Sequence, residues 1–386
     1  ALDSAIGDGD HGDTMLRGFR AAAHTVSEGN YGSISALFDA VADTLAEETG
    51  GAIGPLLAAF FAEGSLAFSG MDTVGLSALA VFFTWGLDAV RQVGGAQPGD
   101  KTLVDALAPA VSVLVEGQGE DMVAALDAAA QAAEHGAQAT QNYAASMGRA
   151  RFLGERGVGH PDPGAVSFAL IVRGLYAIAQ GGYPAELDIQ SSVESQRAKP
   201  RSTFINTPED MVAEDNRGLA LAYPQLVRLT DAGLLVRTMP KGEGKVGLAI
   251  GHGGGHTPSM GGFLGLGLLD ADVYGPLFTC ASGLKIAQAI ELAERGGGVV
   301  LLVSNHAGDV LNARLAARRA EQLGIPLNLV LSSDDVATAP RENYLARRGL
   351  GGLLFPLKVG GGAAEAGLSL HAVTELMRRT NERTAT

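Results

Sequence analysis

The chain has 386 residues, enough for two or three domains, and 46% of them are hydrophobic, which supports substantial cores. Its formal net charge of −14 argues against a nucleic-acid partner, because neutralising phosphates requires a basic face. The single cysteine, Cys280, excludes a disulfide framework and predicts a reducing, cytoplasmic location. Polar residues such as Glu63 and Asp72 interrupt the apolar stretch 52–90, so we predict buried helices there and no membrane partner.

The first 183 residues show helical periodicity throughout, in Ala- and Leu-rich segments that end near Gly, Asn or Pro. The predicted helices are 16–26, 34–48, 55–68, 74–93, 102–116, 122–144 and 165–180. The loops between them carry the motifs described below. We therefore predict an all-α helical bundle or barrel over residues 1–183, with its functional groups gathered at one end.

Three aspartates, Asp3, Asp8 and Asp10, lie in a glycine-containing run at the start of the chain. Carboxylates this close repel one another unless a cation lies between them, and hard oxygen ligands suit Mg²⁺ or Ca²⁺ rather than zinc. An EF-hand loop does not fit, because the sixth position counted from Asp8 is Asp13 rather than Gly. The alternative interpretation is an acidic surface turn.

Further motifs follow this run in the helical half: Gly50–Pro55, Pro98–Thr102, Gly148–Arg156 and His160–Ala165. In this order and at these separations, the motifs resemble the nucleotide-binding L domain of the dihydroxyacetone kinase family. The resemblance implies that Asp3, Asp8 and Asp10 hold a Mg²⁺ pair on the phosphates of ATP. It also implies that the nucleotide is surrounded by His11, Gly12, Asp13, Thr14, Ala52, Ile53, Gly94, Leu103, Arg149, Asp162, Pro163 and Gly164.

Residues 184–203 are polar, mixed in charge and aperiodic, which predicts a linker. Beyond it the pattern changes. Short apolar runs at 245–250, 298–303, 326–331 and 352–357 predict strands, and 283–295, 310–323 and 370–380 predict helices. This alternation predicts an α/β domain over 204–386, with a parallel sheet covered by helices.

Two loops at the ends of predicted strands carry groups suited to chemistry. In the first, Gly253, Gly254 and Gly255 allow close approach of backbone amides to a small ligand, and His256 supplies an acid or base. The alternative interpretation of this loop is an ordinary tight turn. In the second, Asp309 stands at the start of a helix. Such a carboxylate either caps free helix amides or serves as a general base, and the residues alone leave both roles open.

Six segments of the second half, in order, resemble the substrate-binding K domain of the same family: 204–210, 251–258, 278–279, 304–312, 334–337 and 347–349. The resemblance implies that Gly253, Gly254, Gly255, His256, Ser304 and Asp309 form the ketose site. His256 and Asp309 would be catalytic, with Asp309 accepting the proton of the reacting hydroxyl. The implied activity is ATP-dependent phosphorylation of dihydroxyacetone, or of a related sugar such as erythrulose, at a terminal hydroxyl, by a homodimer.

The chain also departs from the family pattern. The substituted positions are Thr14 for asparagine, Ile53 for serine, His252 for glycine, Cys280 for serine and Ser304 for a lysine that usually contacts substrate. These changes leave two alternatives to a free-standing kinase. One is an ADP-carrying subunit rephosphorylated by a phosphotransferase system, and the other is a non-catalytic sensor of ketose or nucleotide.

On the same resemblance, a helix usually precedes the position of Ala1, so we expect an N-terminal segment to be missing here. K domains normally continue into a second α/β lobe that this sequence does not contain, and the resemblance leaves open whether that lobe is truly missing. In the family, a histidine of that lobe holds the ketone covalently. Neither His252 nor His306 is expected to take that role.

Overall fold

The computed structural model describes residues 2–7, 9–117, 119, 121–182, 205–207, 210–258 and 260–386, without the side chains of Arg149 and Phe152. It divides into two compact units. The first takes in the described residues of 1–42 and 57–206, and the second those of 43–56 and 207–386. The predicted boundaries at 183 and 204 and the predicted linker 184–203 lie outside the described residues, so they stay predictions.

The first half is helical, as predicted, and every predicted helix is present. Its α-helices are α1 (Asp3–Ile6), α2 (His11–Glu28), α3 (Ile34–Glu48), α4 (Ile53–Ser65), α5 (Leu76–Gly94), α6 (Val104–Glu116), α7 (Met122–Ala139) and α8 (Pro163–Ala179). Short 3₁₀ turns occupy Leu66–Phe68, Thr140–Asn142 and Arg149–Gly157. The bundle or barrel arrangement of these helices stays a prediction.

Local signals set the helix ends. The carboxylate of Asp121 accepts hydrogen bonds from the amides of Val123 (3.1 Å) and Ala124 (3.4 Å), which caps α7. Gly95 ends α5 in the left-handed region, with a φ of 79°, a conformation that glycine adopts without strain.

Aromatic rings form much of the core of the first unit. Phe60 contacts four other rings at centroid distances between 5.1 and 5.5 Å, in edge-on arrangements, including those of Phe82 and Phe168. A Cβ at Gly86 would overlap the Phe60 ring, so a glycine on α5 allows α4 to approach closely. This packing fixes the helices whose ends carry the predicted nucleotide residues.

The second unit contains a six-stranded sheet in the order β1-β2-β4-β3-β5-β6. The strands are β1 (Val227–Leu229), β2 (Leu235–Arg237), β3 (Gly247–Gly254), β4 (Ala271–Leu277), β5 (Val299–Ser304) and β6 (Leu327–Ser332). The helices are α9 (Met211–Ala222), α10 (Gly283–Ala293), α11 (Ala307–Gln322), α12 (Leu354–Glu365) and α13 (Leu370–Glu382).

Alternate residues of the central strands enter two different cores. Ala249 and Leu301 pack with α10 and α11, whereas Ile250 and Leu302 pack with α12 and α13. This alternation follows from the two-residue period of a strand. Because helices cover both faces, ligand groups are accessible at the carboxyl ends of the parallel strands.

Two predictions for this unit are wrong. The sheet is mixed rather than parallel, because β1 and β2 run antiparallel to their neighbours, while β4, β3, β5 and β6 are parallel. The predicted strand 352–357 is instead a 3₁₀ turn (Gly351–Leu353) that leads into α12. Among the described helices, none combines the length and apolar character that crossing a membrane requires.

Candidate functional site

The acidic run at the N-terminus forms a tight turn around Asp3. Its Oδ2 atom accepts hydrogen bonds from the amides of Gly9 (2.9 Å) and His11 (3.1 Å). A Cβ at Gly7 would overlap the Asp3 carboxylate as it is placed here, so a larger residue at that position would displace this carboxylate. The turn therefore connects α1 to the first residue of α2 through one carboxylate.

Asp10 precedes α2 and makes no side-chain capping bond. Burial raises its pKa, and the neighbouring charges of Asp3 and Asp13 raise it further, although Arg17 acts in the opposite direction. A bound cation would relieve this repulsion, and the oxygen donors suit Mg²⁺. Asp8 lies outside the described residues. Among the described residues, no cluster of three potential metal ligands is found. The three-aspartate site therefore stays a prediction.

The predicted nucleotide residues His11, Gly12, Asp13 and Thr14 form the first turn of α2. His11 Nε2 lies 2.8 Å from Ser167 Oγ on α8, and burial lowers the pKa of the imidazole. Thr14 is buried and Asp13 is exposed. Within the first unit, His11 thus connects this turn to the helix that follows Asp162.

The starts of α6 and α8 come together. Leu103 directly precedes α6 and Pro163 begins α8, and a Cβ at Gly164 would lie 3.7 Å from Leu103 Cβ. Asp162 caps α8 by accepting a hydrogen bond from the Ala165 amide (2.8 Å). Burial raises the pKa of Asp162 to about 7, with a further contribution from the charge of Asp105. Two adjacent helix N-termini are suited to binding phosphate.

For four other predicted nucleotide residues, the structure shows no contact with the α2 turn or with the starts of α6 and α8 among the described contacts. Gly94 is the last residue of α5, and Arg149 begins a 3₁₀ turn, with its side chain outside the description. Ala52 and Ile53 stand at the start of α4, but they fall in the second unit rather than the first. The structure therefore brings together part of the predicted set, namely the α2 turn and the starts of α6 and α8.

Lys101 is a feature that the sequence interpretation missed, although it lies in the Pro98–Thr102 motif. It is 2% exposed, and its Nζ lies within hydrogen-bond distance of the carbonyl oxygens of Thr140 (3.0 Å), Tyr143 (3.2 Å), Gly157 (2.9 Å) and His160 (2.6 Å). Burial lowers the pKa of its ammonium group, and the charge of Asp162 opposes this effect. One buried cation thus holds the two loops that precede Asp162.

We expect Lys101→Met to destabilise the protein by about 2–3 kcal/mol, because it leaves buried carbonyls without a donor. Thermal unfolding measures this loss. Lys285→Met, at an exposed lysine, is the control and should change stability by less than about 0.5 kcal/mol. Equal stability of the two variants would show that Lys101 does not hold these loops.

The glycine-rich segment of the second unit is largely strand, because β3 continues to Gly254. A Cβ at Gly253 would lie 3.2 Å from the backbone of Phe278 and Thr279, and one at Gly254 would overlap Val212. Gly255 has a φ of +88°. Gly254 is therefore favoured by close packing and Gly255 by its left-handed backbone, and a side chain at Gly253 would require a small shift of its neighbours.

His256 is exposed at the end of this segment and faces an aromatic neighbour. Its ring lies 5.5 Å from that of Phe278, centroid to centroid. Phe278 has a φ of 54° and is 67% exposed, an unusual combination for a bulky residue. Strained backbone of this kind is concentrated at functional sites.

Ser304 ends β5, and Asp309 lies in the first turn of α11, as predicted. Oδ1 of Asp309 is buried and finds no hydrogen-bond donor within the described residues. This atom therefore does not cap the amides of the helix. Burial raises the pKa of Asp309 to about 7, and the charge of His252 acts in the opposite direction. A carboxylate with a free buried oxygen and a near-neutral pKa is well suited to act as a base.

Cys280, which stands where the family pattern has serine, is also close to this carboxylate. Its sulfur accepts a hydrogen bond from Asn312 Nδ2 (3.2 Å), and Asn312 Oδ1 accepts one from the Gly283 amide (2.8 Å). Burial raises the pKa of the Cys280 thiol to about 12, with a further contribution from Asp309. The thiol is therefore neutral and structural near pH 7.

Comparison with known proteins identifies the class of protein that this fold and site define. A DAK2 domain model matches residues 5–177 and a Dak1 domain model matches residues 217–386. The ADP-binding subunit of the PEP-dependent dihydroxyacetone kinase of Escherichia coli is 37% identical over 181 residues, which cover 46% of this chain and 86% of that subunit. The chain belongs to the dihydroxyacetone kinase family.

Two further relatives show how much of a longer protein is matched. An L-erythrulose kinase of Pectobacterium atrosepticum is 38% identical over 181 residues, covering 47% of this chain and 30% of the relative. A dihydroxyacetone-binding subunit of a PTS-dependent dihydroxyacetone kinase of Lactococcus lactis is 38% identical over 174 residues, covering 45% of this chain and 52% of the relative. The match thus spans about a third of the erythrulose kinase and about half of the Lactococcus subunit.

Proposed function

We propose that this protein transfers the γ-phosphoryl group of ATP to a terminal hydroxyl of a small ketose with three or four carbons. The observation that carries the proposal is Oδ1 of Asp309, in the turn that follows β5, which is buried and has no hydrogen-bond donor among the described residues. Family membership supports the reaction class, and the names of relatives that act on L-erythrulose or bind dihydroxyacetone support the substrate class.

In this proposal Asp309 accepts the proton of the reacting hydroxyl as the phosphoryl group arrives. Gly253–Gly255, His256 and Ser304 orient the ketose by hydrogen bonding. Asp309 must be ionised to act, so activity is expected to rise with pH through about 7.

The nucleotide half of the proposal depends on the first unit. His11, Leu103 and Asp162–Gly164 provide a turn and two helix starts suited to phosphate oxygens. The adjacent carboxylates of Asp3 and Asp10 fit a hard divalent cation, and Asp8 would complete the set. When bound, Mg²⁺ neutralises phosphate charge during phosphoryl transfer.

The test is ADP release from ATP and Mg²⁺ with dihydroxyacetone, glyceraldehyde, D-erythrulose and L-erythrulose, offered one at a time. We expect turnover with at least one ketose and none without added sugar. Absence of turnover with all four, despite binding of Mg·ATP measured by calorimetry, would contradict the free-standing kinase.

One observation favours a second candidate, an ADP-carrying subunit. The match to the Escherichia coli ADP-binding subunit extends over most of that relative. A carrier would retain ADP through gel filtration and release no ADP with any sugar. The homodimer stays a proposal, tested by the molar mass of the full chain in solution.

A further inference from the structure

A buried histidine lies next to the glycine-rich strand, at a position where the family pattern has glycine. His252 is 5% exposed and lies near the carboxyl end of β3. Its Nδ1 is 2.8 Å from the carbonyl oxygen of Gly253, and its Nε2 is 3.1 Å from Oδ1 of Asp272. Asp272, on the adjacent strand β4, is 0% exposed. The buried carboxylate and the buried imidazole thus form one pair.

The contacts of this ring define its protonation state. The carbonyl of Gly253 can only accept, so Nδ1 must carry a proton. A neutral ring would then leave an unprotonated Nε2 3.1 Å from Oδ1 of Asp272, a contact between two electron-rich atoms. The Nε2–Oδ1 contact is an ion pair by distance, although neither atom completes a well-aligned hydrogen bond within the described residues.

The electrostatic balance agrees with this geometry. Burial alone would lower the pKa of His252, but the Asp272 carboxylate and the Gly253 carbonyl outweigh it and raise the pKa above its ordinary value. The balance therefore favours the imidazolium form of His252, with the carboxyl group of Asp272 as its acidic partner.

Other titratable groups surround the pair. The ring of Tyr274, the register partner of His252 on β4, lies 4.4 Å away, and the ring of His256 lies 6.4 Å away. Burial raises the pKa of Tyr274, so its phenol stays neutral, and Asp215 of α9 adds a negative charge on the Tyr274 side. On the side of α11, the group that interacts with His252 is Asp309.

The topology explains why His252 and Asp309 interact. Ile250 of β3 pairs with Leu302 of β5, so His252 and Ser304 stand level at the same edge of the sheet. Asp309 lies in the first turn of α11, which begins just after β5. The charge of His252 favours the ionised form of Asp309, and Asp309 in turn favours the charged form of His252.

We propose that His252 and Asp272 form a positioning pair, in which the buried imidazole ring, held by Asp272 and Gly253, supplies a positive charge that favours the ionised form of Asp309. The role of Asp309 as base rests on the proposed function. The electrostatic interaction between His252 and Asp309, called the electrostatic link below, does not. His252 and Asp272 are positioning residues, since they act through Asp309 rather than on substrate.

The first measurement is NMR of the ring nitrogens of the full chain labelled with [¹⁵N]histidine, from pH 6 to 9, with His252 assigned by its loss in His252→Gln. We expect both ring nitrogens of His252 to remain protonated at pH values where exposed His371 is neutral. In Asp272→Asn, His252 should lose its second proton at lower pH. Titration of His252 together with His371 in the unmodified chain would overturn the proposal.

The second measurement follows the carboxyl carbon of Asp309 by [¹³C]aspartate labelling. In His252→Gln and in Asp272→Asn we expect its titration midpoint to move upward by about one unit, the lower end of the effect of a nearby opposite charge. Exposed Asp231 should not move. Thermal unfolding shows which of these two variants is folded. If the titration midpoint of Asp309 is unchanged in a folded variant, the proposal is overturned.

Activity separates this proposal from the proposed function. If the chain is a kinase, both variants should shift the acidic limb of kcat/KM upward, with a loss approaching tenfold at pH values below the midpoint. An unshifted limb in active variants would refute the positioning role. If the unmodified chain shows no turnover, the proposed function fails, while the carboxyl titration still decides the electrostatic link.

Discussion

Asp309→Asn should lower kcat for ketose phosphorylation by about 10²- to 10⁴-fold, the typical contribution of a general base. The amide retains the size of the side chain but cannot accept the hydroxyl proton. Oδ1 of Asp309 is buried without a hydrogen-bond donor among the described residues, so the substitution breaks no bond at that atom. The rate of ADP release, measured from pH 5.5 to 9, should rise through about pH 7 in the unmodified protein. This rise should be absent from the pH profile of the variant.

A matched control is Asp231→Asn, at an exposed aspartate of the same unit, which should retain full activity. If Asp309→Asn kept more than about a tenth of kcat, another group would be the base. KM for the ketose is expected to change little, since the lost interaction develops mainly in the transition state.

The stability of the same variant distinguishes loss of chemistry from loss of fold. Burial places the pKa of Asp309 in the folded state above its ordinary value of 3.8, so the folded protein binds a proton that the unfolded chain releases. The free energy of unfolding is therefore unaffected by this group below about pH 4, and it declines as the pH rises from about 4 to about 7. Asp309→Asn removes this decline, so we expect a variant that is inactive and at least as stable as the parent at pH 8.

The sequence predicted most elements because their periodicity is strong and their ends carry clear signals. The missed strands were short or atypical. Three-residue β1 and β2 are too brief for a period, and β4 contains Gly275, Pro276 and the buried Asp272. The run 352–357 was predicted as a strand because a short apolar run does not distinguish strand from helix, and Gly360–Gly362 weakened the signal of α12.

The positions of Asp309 and His256 in the fold could be predicted from the sequence, but the residues that surround them could not. Asp309 and His256 follow strand ends, which is a local pattern. The pair His252–Asp272 depends on the parallel register of β3 and β4, in which Ile250 pairs with Asp272. A sequence separation of 20 residues gives no local sign of that contact. The one available signal was the departure from glycine at position 252.

A second large effect is expected at the opposite end of the sheet from the candidate site, where buried charges neutralise one another. Asp270 is 6% exposed, and its two oxygens accept hydrogen bonds from Arg237 Nη1 (3.2 Å), Lys241 Nζ (2.6 Å) and the Leu248 amide (2.7 Å). Glu365 Oε2 also accepts from Arg237 Nη1, at 2.9 Å. Burial lowers the pKa of Lys241, and the charge of Asp270 opposes this effect.

Asp270→Asn should destabilise the protein by about 3–5 kcal/mol, because it leaves the Lys241 ammonium buried without its counterion. Urea unfolding measures the free energy. The control is Glu375→Gln, which breaks the exposed pair with Arg378 on α13 and should cost less than about 1 kcal/mol. Salt should weaken the exposed pair more than the buried one, since buried charges are screened less.

The double variant Lys241→Met/Asp270→Asn tests the cause of this loss. If the cost of Asp270→Asn comes from an uncompensated buried cation, removing that cation should restore part of the stability, so the double variant should be more stable than Asp270→Asn alone. If the losses simply add, the cost comes instead from the hydrogen bonds to Arg237 and the Leu248 amide. In that case Lys241 contributes nothing through its charge, and the buried pair is not what stabilises this end of the sheet.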